Sequence, residues 1–429
     1  MQRRPMFDQR RTRRVAALAT IGAAVTVLVF LTPAAVHAAA ARSATSSRVS
    51  PLVGVPTTSV PVGTYPFGLA FDPATGTIWA TNIETNNVTV VNASSNTVKI
   101  ASIPVGSEPT SATYVSANGY LYIANDGSSN LTVINGSTGH VVKSIPVGSA
   151  PFSSAYDSAN GDLYVANSVS GNVSTIDVAT NMVIGTPIVV GSDPTGITYD
   201  SLNGDLYVTN FGSANVTVIS AATNKVVVPS IPAGANDEYS AVDPANNSIF
   251  VTSAADDNVT VIDGATNTIT VHSIPVGTSP RDLGYDPLNG YFYVANYGSA
   301  NVSVIDAATH HLVGSAIAVG SGPWVATTDP ANGYVYVANR LGSNLTVLAP
   351  VYSIGGGASS SSSGSSGIPA GEAYALAGIL AAWGVAGTAA ALYFRRGPSK
   401  PKPLQPSGST SPPASPPASP PPSPPAGAA

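Results

Sequence analysis

The stretch Asp286–Asp306 reads Asp-Pro-Leu-Asn-Gly-Tyr-Phe-Tyr-Val-Ala-Asn-Tyr-Gly-Ser-Ala-Asn-Val-Ser-Val-Ile-Asp. Asp286-Pro287 followed by Asn289-Gly290 suits a tight turn, because proline presets φ and Asn-Gly accepts positive φ. Beyond the turn, apolar residues alternate with small or polar ones at period two, and no helical periodicity intervenes. Extended in both directions, the unit becomes four short strands: Asp282–Tyr285, Tyr291–Asn296, Asn301–Asp306 and Leu312–Val319.

The unit recurs in strict phase. The glycine of Ile-Pro-Val-Gly and its variants falls at Gly63, Gly106, Gly148, Gly191, Gly234, Gly277 and Gly320, spaced by 43 residues except for one interval of 42. The residue ending Leu-Tyr-Val-Ala-Asn keeps the same phase at Asn82, Asn125, Asn167, Asn210, Ser253, Asn296 and Asn339. Four strands per period in seven copies predict an all-β fold, a seven-bladed β-propeller of four-stranded antiparallel blades. A solenoid would need a capping repeat at each end, and neither is visible. The seventh copy supplies only three strands, Trp324–Thr328, Tyr334–Asn339 and Asn344–Leu348. Ahead of the first copy, Val53–Val62 resembles the missing fourth strand and ends in the same Pro-Val-Gly. It is expected to pair with the seventh blade and close the ring, covering sheet edges that invite aggregation.

Tyr-Val-Ala-Asn, or Tyr-Val-Thr-Asn at Tyr207–Asn210, followed by Asn-Val-Thr-Val-Ile-Asp, resembles the YVTN-family β-propeller repeat of surface-layer and YncE-like proteins. The resemblance spans Val53–Leu348 and recurs in every copy. It implies an extracytoplasmic propeller used for surface interaction, whose shared residues are structural, and it implies no defined activity.

Composition narrows the function classes. Only 9% of the 429 residues are charged, which leaves too few clustered cations for nucleic-acid binding. With no cysteine there is no disulfide, no thiolate nucleophile and no Cys-ligated metal. Residues 1–40 read as a secretory signal peptide: six arginines in Met1–Arg14, an apolar run from Val15 to Leu31, and the small-residue stretch Val36–Ala40. Cleavage near Ala38 or Ala40 is expected over retention as an anchor, and the arginine pairs are compatible with a twin-arginine route. Residues 351–372 form a Gly/Ser-rich linker. Ala373–Phe394 carries no charge over 22 residues, long enough for a transmembrane helix. Arg395, Arg396, Lys400 and Lys402 follow it, which places the Pro/Ser-rich tail (395–429) in the cytoplasm and the propeller outside. Between Arg42 and Gly355 there are 20 Asp plus Glu against 7 Lys plus Arg, a net of −13. Such an ectodomain repels nucleic acid and tolerates divalent cations or cationic polymers.

In a propeller the loops joining fourth to first strands and second to third share one face around the channel. One residue per copy should line that mouth: Phe67, Thr110, Phe152, Thr195, Glu238, Arg281 and Trp324. A lactonase-like or metal-dependent hydrolase would place several carboxylates or histidines there, whereas this ring has one carboxylate and no histidine. Phe67, Phe152 and Trp324 would stack on sugar rings, anchor a peptide or plug the channel. Copy five departs from the pattern, with Asp237, Glu238, Asp256 and Asp257 in its two mouth loops. These four would make a calcium site, or Glu238 would pair with Arg281 and the others remain solvated. His140, His272, His310 and His311 fall at the outer rim, away from any nucleophile. Ten Asn-x-Ser/Thr sequons are available for glycosylation. Asn87, Asn130, Asn172, Asn215, Asn258, Asn301 and Asn344 open the third strand of each copy, where turn and strand preferences explain them; Asn92, Asn135 and Asn246 lie in other turns.

The reading is a membrane-anchored, single-pass, cell-surface propeller without catalysis, binding an extracellular protein or an envelope polymer such as a glycan. It needs no cofactor, with calcium as the one candidate. A lactonase-like or lyase-like surface enzyme and a passive surface-layer building block are the alternatives.

Overall fold

The structure, a computed structural model, describes residues 54–350. The expected signal peptide, linker, transmembrane segment and tail lie outside the described residues. Within them every element is a strand, and the strands form seven antiparallel sheets. Blade one comprises Pro66–Asp72, Thr77–Asn82, Asn87–Asn92 and Thr97–Pro104, paired in chain order. First strands of neighbouring blades touch around the whole ring, blade seven against blade one included, so they line the central channel. Second and third strands are almost wholly buried, and fourth strands face solvent.

The ring closes through the start of the chain. Val55–Pro61 pairs antiparallel with Asn344–Ala349, from Val55 opposite Ala349 to Pro61 opposite Asn344. Val60 is buried in an apolar cluster with Ile78 of blade one and Tyr336 and Leu345 of blade seven, so this strand also seals a seam. Blade six departs from the expected single outer strand Leu312–Val319. Two short segments, His311–Leu312 and Ile317–Ala318, pair there with Asn301–Asp306, and Gly314 between them adopts the left-handed region at φ 67°. Other blades absorb an irregularity at this place as a bulge within one strand.

Repeated side chains explain the repeated backbone. Asp72, Asp157, Asp200, Asp243, Asp286 and Asp329 end the first strands, buried, and each Oδ1 accepts the N–H two residues on at 2.7–3.0 Å. That Asx geometry fixes the first turn. The asparagine ending the second strand donates from Nδ2 to Oδ1 of the third-strand asparagine and to the Ser/Thr hydroxyl two residues further on. In blade one these bonds run from Asn82 to Asn87 at 2.8 Å and to Thr89 at 3.0 Å. Blades two, three, four, six and seven repeat both bonds. Six of the seven in-phase sequons therefore follow a hydrogen-bond relay. Their asparagines are half-buried. In blade five, Ser253 cannot reach across, and Asn258 Oδ1 is left without a partner. Asn92 and Asn135 cap their own turns through Oδ1, and Asn246 donates to Asp243 at 2.6 Å.

Seams between blades use the tyrosine of the second strand. Tyr122, Tyr164, Tyr207 and Tyr336 are fully buried, and their hydroxyls donate to Oδ1 of Asn181, Asn224, Asn267 and Asn96 in the next blade at 2.5–2.8 Å. Each acceptor asparagine takes positive φ in its turn, which aims its side chain at the seam. Where blade five has Phe250 instead, the facing residue is His310, ring on ring at 5.5 Å. His140, His272 and His311 are exposed on the outer rim.

Candidate ligand site at the channel mouth

Two backbone devices build the mouth. The residue before each first strand takes positive φ: Tyr65, Glu108, Ala150, Asp193, Asn236, Ser279 and Gly322. Its carbonyl accepts the N–H of the residue just past the second strand, namely Ile83, Asp126, Ser168, Phe211, Ala254, Tyr297 or Arg340, at 2.8–3.2 Å. The two loops of every blade are thereby clasped together. A register shift directly after the first strand opens recurs in all seven blades, and the residues that lead into the channel lie there.

The ring inferred from sequence divides into two groups. Thr110 and Thr195 lace neighbouring blades: their hydroxyls donate to the Pro151 carbonyl at 3.1 Å and the Glu238 carbonyl at 2.8 Å. The others converge. Phe67 lies 4.6 Å from Trp324 and 5.5 Å from Phe152, centroid to centroid, and Phe152 lies 6.3 Å from Tyr239. Phe67 and Trp324 keep only 3% and 6% of their surface, so they fill the mouth; Phe152 is half-buried. Arg281 forms an ion pair with buried Glu238. Burial raises the Glu238 carboxyl to about 7, against the lowering pull of Arg281.

Four residues at the mouth went unread in the sequence: Tyr65, Tyr239, Tyr297 and Arg340. Tyr297 packs edge-on against Trp324 at 5.5 Å. Arg281 and Arg340 both lie over the Trp324 ring, their guanidinium carbons 4.5 and 4.6 Å from its centroid. Arg340 also contacts Tyr65 and Phe67, each at 5.2 Å. A signal was available: Arg281 and Arg340 are the only arginines between residues 54 and 350.

Beneath the mouth the channel holds a cavity of about 170 Å³, lined by Gly68, Thr113, Ser154, Ile197, Val325 and neighbouring first-strand residues. Asp282 is its one carboxylate. Burial lifts Asp282 to about 7, opposed by a hydrogen bond from the Leu283 N–H at 2.7 Å. The Ser111 and Ser240 hydroxyls on its wall have no hydrogen-bond partner.

Copy five is explained by the loop clasp. Asp256 Oδ2 accepts the Ala235 N–H at 2.8 Å, as Ser128, Ser170, Ser213 and Ser299 accept the equivalent N–H in other blades. Asp257 Oδ1 accepts the Ser279 N–H at 2.7 Å, as Asn86 does from Glu108 at 2.8 Å. With Glu238 turned to Arg281, three of the four carboxylates proposed for calcium are engaged separately; the backbone of Asp237 opens the blade's first strand. Among the described residues no group of three or more His, Asp or Glu is placed to hold a metal ion. Glu108, Asp126 and Asp193 form an acidic sector on blades two to four, where burial first, then Glu108 and Asp193, raise the Asp126 carboxyl.

No family model matches the chain, and no curated protein matches it. Among solved structures it is similar to hydrazine synthase of Kuenenia stuttgartiensis, with a TM-score of 0.59 and 20% identity over 68% of this chain and 96% of that one. It is also similar to a chain of the mitotic checkpoint complex, with a TM-score of 0.61 and 16% identity over 70% and 93%. At these identities the likeness extends to the fold alone. The chain is a seven-bladed β-propeller.

Proposed function

We propose that this propeller is a non-catalytic, extracytoplasmic binding protein of YVTN-repeat type, anchored by residues 373–394, that holds an envelope polymer or surface protein at the channel mouth. One observation carries the reading. Positions that build blades repeat six or seven times, whereas the mouth positions Phe67, Phe152, Glu238, Arg281 and Trp324 depart from the repeat and converge with Tyr239, Tyr297 and Arg340. Residues freed from the repeat and gathered on one concave face are what a binding site requires. The test is binding of the full-length protein, in detergent, to isolated cell envelope. Saturable binding that survives EDTA is expected, because the Asp256, Asp257 and Glu238 carboxylates are already engaged. Absence of saturable binding, together with ordered lateral arrays of the protein alone, would replace this reading with a passive surface-layer building block.

One feature favours the enzyme alternative. Asp282, raised to about 7 inside a polar cavity, matches what a general acid needs. Turnover of a lactone or glycoside, abolished in Asp282→Asn, would establish it.

A further inference from the structure

The propeller is acidic, yet its only two arginines both lie against one indole at the channel mouth. Their circumstances differ. Arg281 is neutralised by Glu238. Arg340 has no carboxylate partner among the described residues: it rests on the Tyr65, Phe67 and Trp324 rings, and its Nε is buried without a hydrogen-bond acceptor. Ring faces attract a guanidinium but neither cancel its charge nor accept its in-plane N–H groups. Burial pushes the Arg340 pKa down, with Tyr297 and Tyr65 opposing the fall and neighbouring Arg281 adding to it. Arg340 is half-buried, as are Tyr65 and Tyr297, both close enough to act on its charge. A partly exposed guanidinium without a carboxylate partner, held against aromatic rings, can receive one through its terminal N–H groups.

We infer that the sector formed by blades six, seven and one binds a carboxylated sugar, with Arg340 pairing the carboxylate and Tyr65 and Tyr297 flanking the ring. This rests on the binding role proposed above and names its ligand class. Two features select an isolated uronate within an otherwise neutral glycan. The Glu108, Asp126 and Asp193 sector across the mouth repels further anions, excluding a dense polyanion. The loops of the binding sector itself present hydroxyls at Thr278 and Ser321, available to sugar hydroxyls. A peptide added as a strand would need an open strand edge, and the backbone ends at the mouth are already clasped to one another. A peptide carboxylate remains the competing ligand, and the test includes it.

The test uses the full-length protein in detergent and three probes: a neutral oligosaccharide carrying one glucuronate, its carboxyl-reduced counterpart, and an N-acetylated peptide with a free C-terminal carboxylate. The wild type is expected to bind the glucuronate probe at least tenfold tighter than the reduced one. Arg340→Gln should erase that preference, and Arg340→Lys should restore part of it, with thermal unfolding reporting that each variant is folded. Equal binding of acidic and reduced probes by the wild type, which needs no variant, overturns the inference. So does capture of the peptide in preference to the sugar. If isolated envelope binds saturably while the glucuronate probe does not, the ligand assignment falls and the binding role stands. If envelope binding is also absent, both fall.

Discussion

Tyr207 and Glu238 come from successive copies of the same 43-residue repeat and represent two regions under opposite constraints. At the seams, a buried tyrosine hydroxyl meets an asparagine of the next blade, and the pairing recurs at Tyr122, Tyr164, Tyr207 and Tyr336. At the mouth, the seven equivalent positions hold two phenylalanines, two threonines, a glutamate, an arginine and a tryptophan. At the seam the tyrosine hydroxyl lies between the asparagine and, at Tyr164, Tyr207 and Tyr336, a backbone carbonyl of the same turn, so geometry favours one residue type there. At the mouth the backbone clasp does the structural work, so side chains are free to differ. Two blades depart at the seam: Trp79 in blade one donates to Thr77 of its own strand, and where blade five has Phe250 the facing residue also changes, to His310.

The largest expected effect comes from breaking the frame at its closure. Deleting 54–61 leaves Asn344–Ala349 as a bare edge and opens the cluster around Val60, so a loss on the order of 5 kcal/mol or more is expected, comparable to a whole domain's margin. Urea denaturation reads it, and an unchanged midpoint would show that the seventh blade closes without its clasp.

Next comes acidity. Asp282 is raised to about 7 in the folded state, above the ordinary value of about 4, so between about pH 4 and 7 the native protein binds a proton that the unfolded chain has released. The stability that this proton confers is complete below the unfolded pKa and is lost as pH rises through 7. It contributes a slope of about 1.4 kcal/mol per pH unit. Asp282→Asn should flatten the profile by one group's share; a profile rising from pH 5 to 7 in the wild type would contradict the assignment.

Tyr207→Phe should cost about 1 to 2 kcal/mol, by stranding Asn267 Oδ1 at a buried seam. Phe250→Tyr should gain nothing, since His310 replaces the acceptor; equal effects at the two seams would dissolve the distinction drawn between them. The smallest effect is expected at Asp256→Ser, within about 0.5 kcal/mol, because serine makes the same bond to the loop N–H in four other blades. A larger loss on adding EDTA than on making this substitution would reopen a cation role for copy five.

The blades and their closure were legible because turn chemistry is local: Asp-Pro, Asn-Gly and the period-two strands declare themselves within a few residues. The interruption at Gly314 was not, since a glycine within an outer strand reads the same whether it bulges, as at Gly185 at φ 66°, or breaks the strand. One aligned column of mouth residues could be read from spacing, and its convergence onto Trp324 followed from the fold. Tyr65, Tyr297 and Arg340 belong to two further columns that meet the first only through the carbonyl clasp, a contact between positions about 18 residues apart in sequence. The same clasp hid the role of Asp256 and Asp257, which look like metal ligands as a sequence and act as loop acceptors in three dimensions.

The clasp strand has a mechanical consequence. In blade seven the sheet order runs Val55–Pro61, Asn344–Ala349, Tyr334–Asn339, Pro323–Asp329, so the last strand of the ring is an interior strand with a ladder on each side. Any load entering through the chain that continues past Ala349 is taken up along that strand, and its release requires two ladders to shear together. Arg340 and Trp324 stand on the same blade, so a pull between a carboxylate held by Arg340 and that continuing chain would load this one sheet most directly.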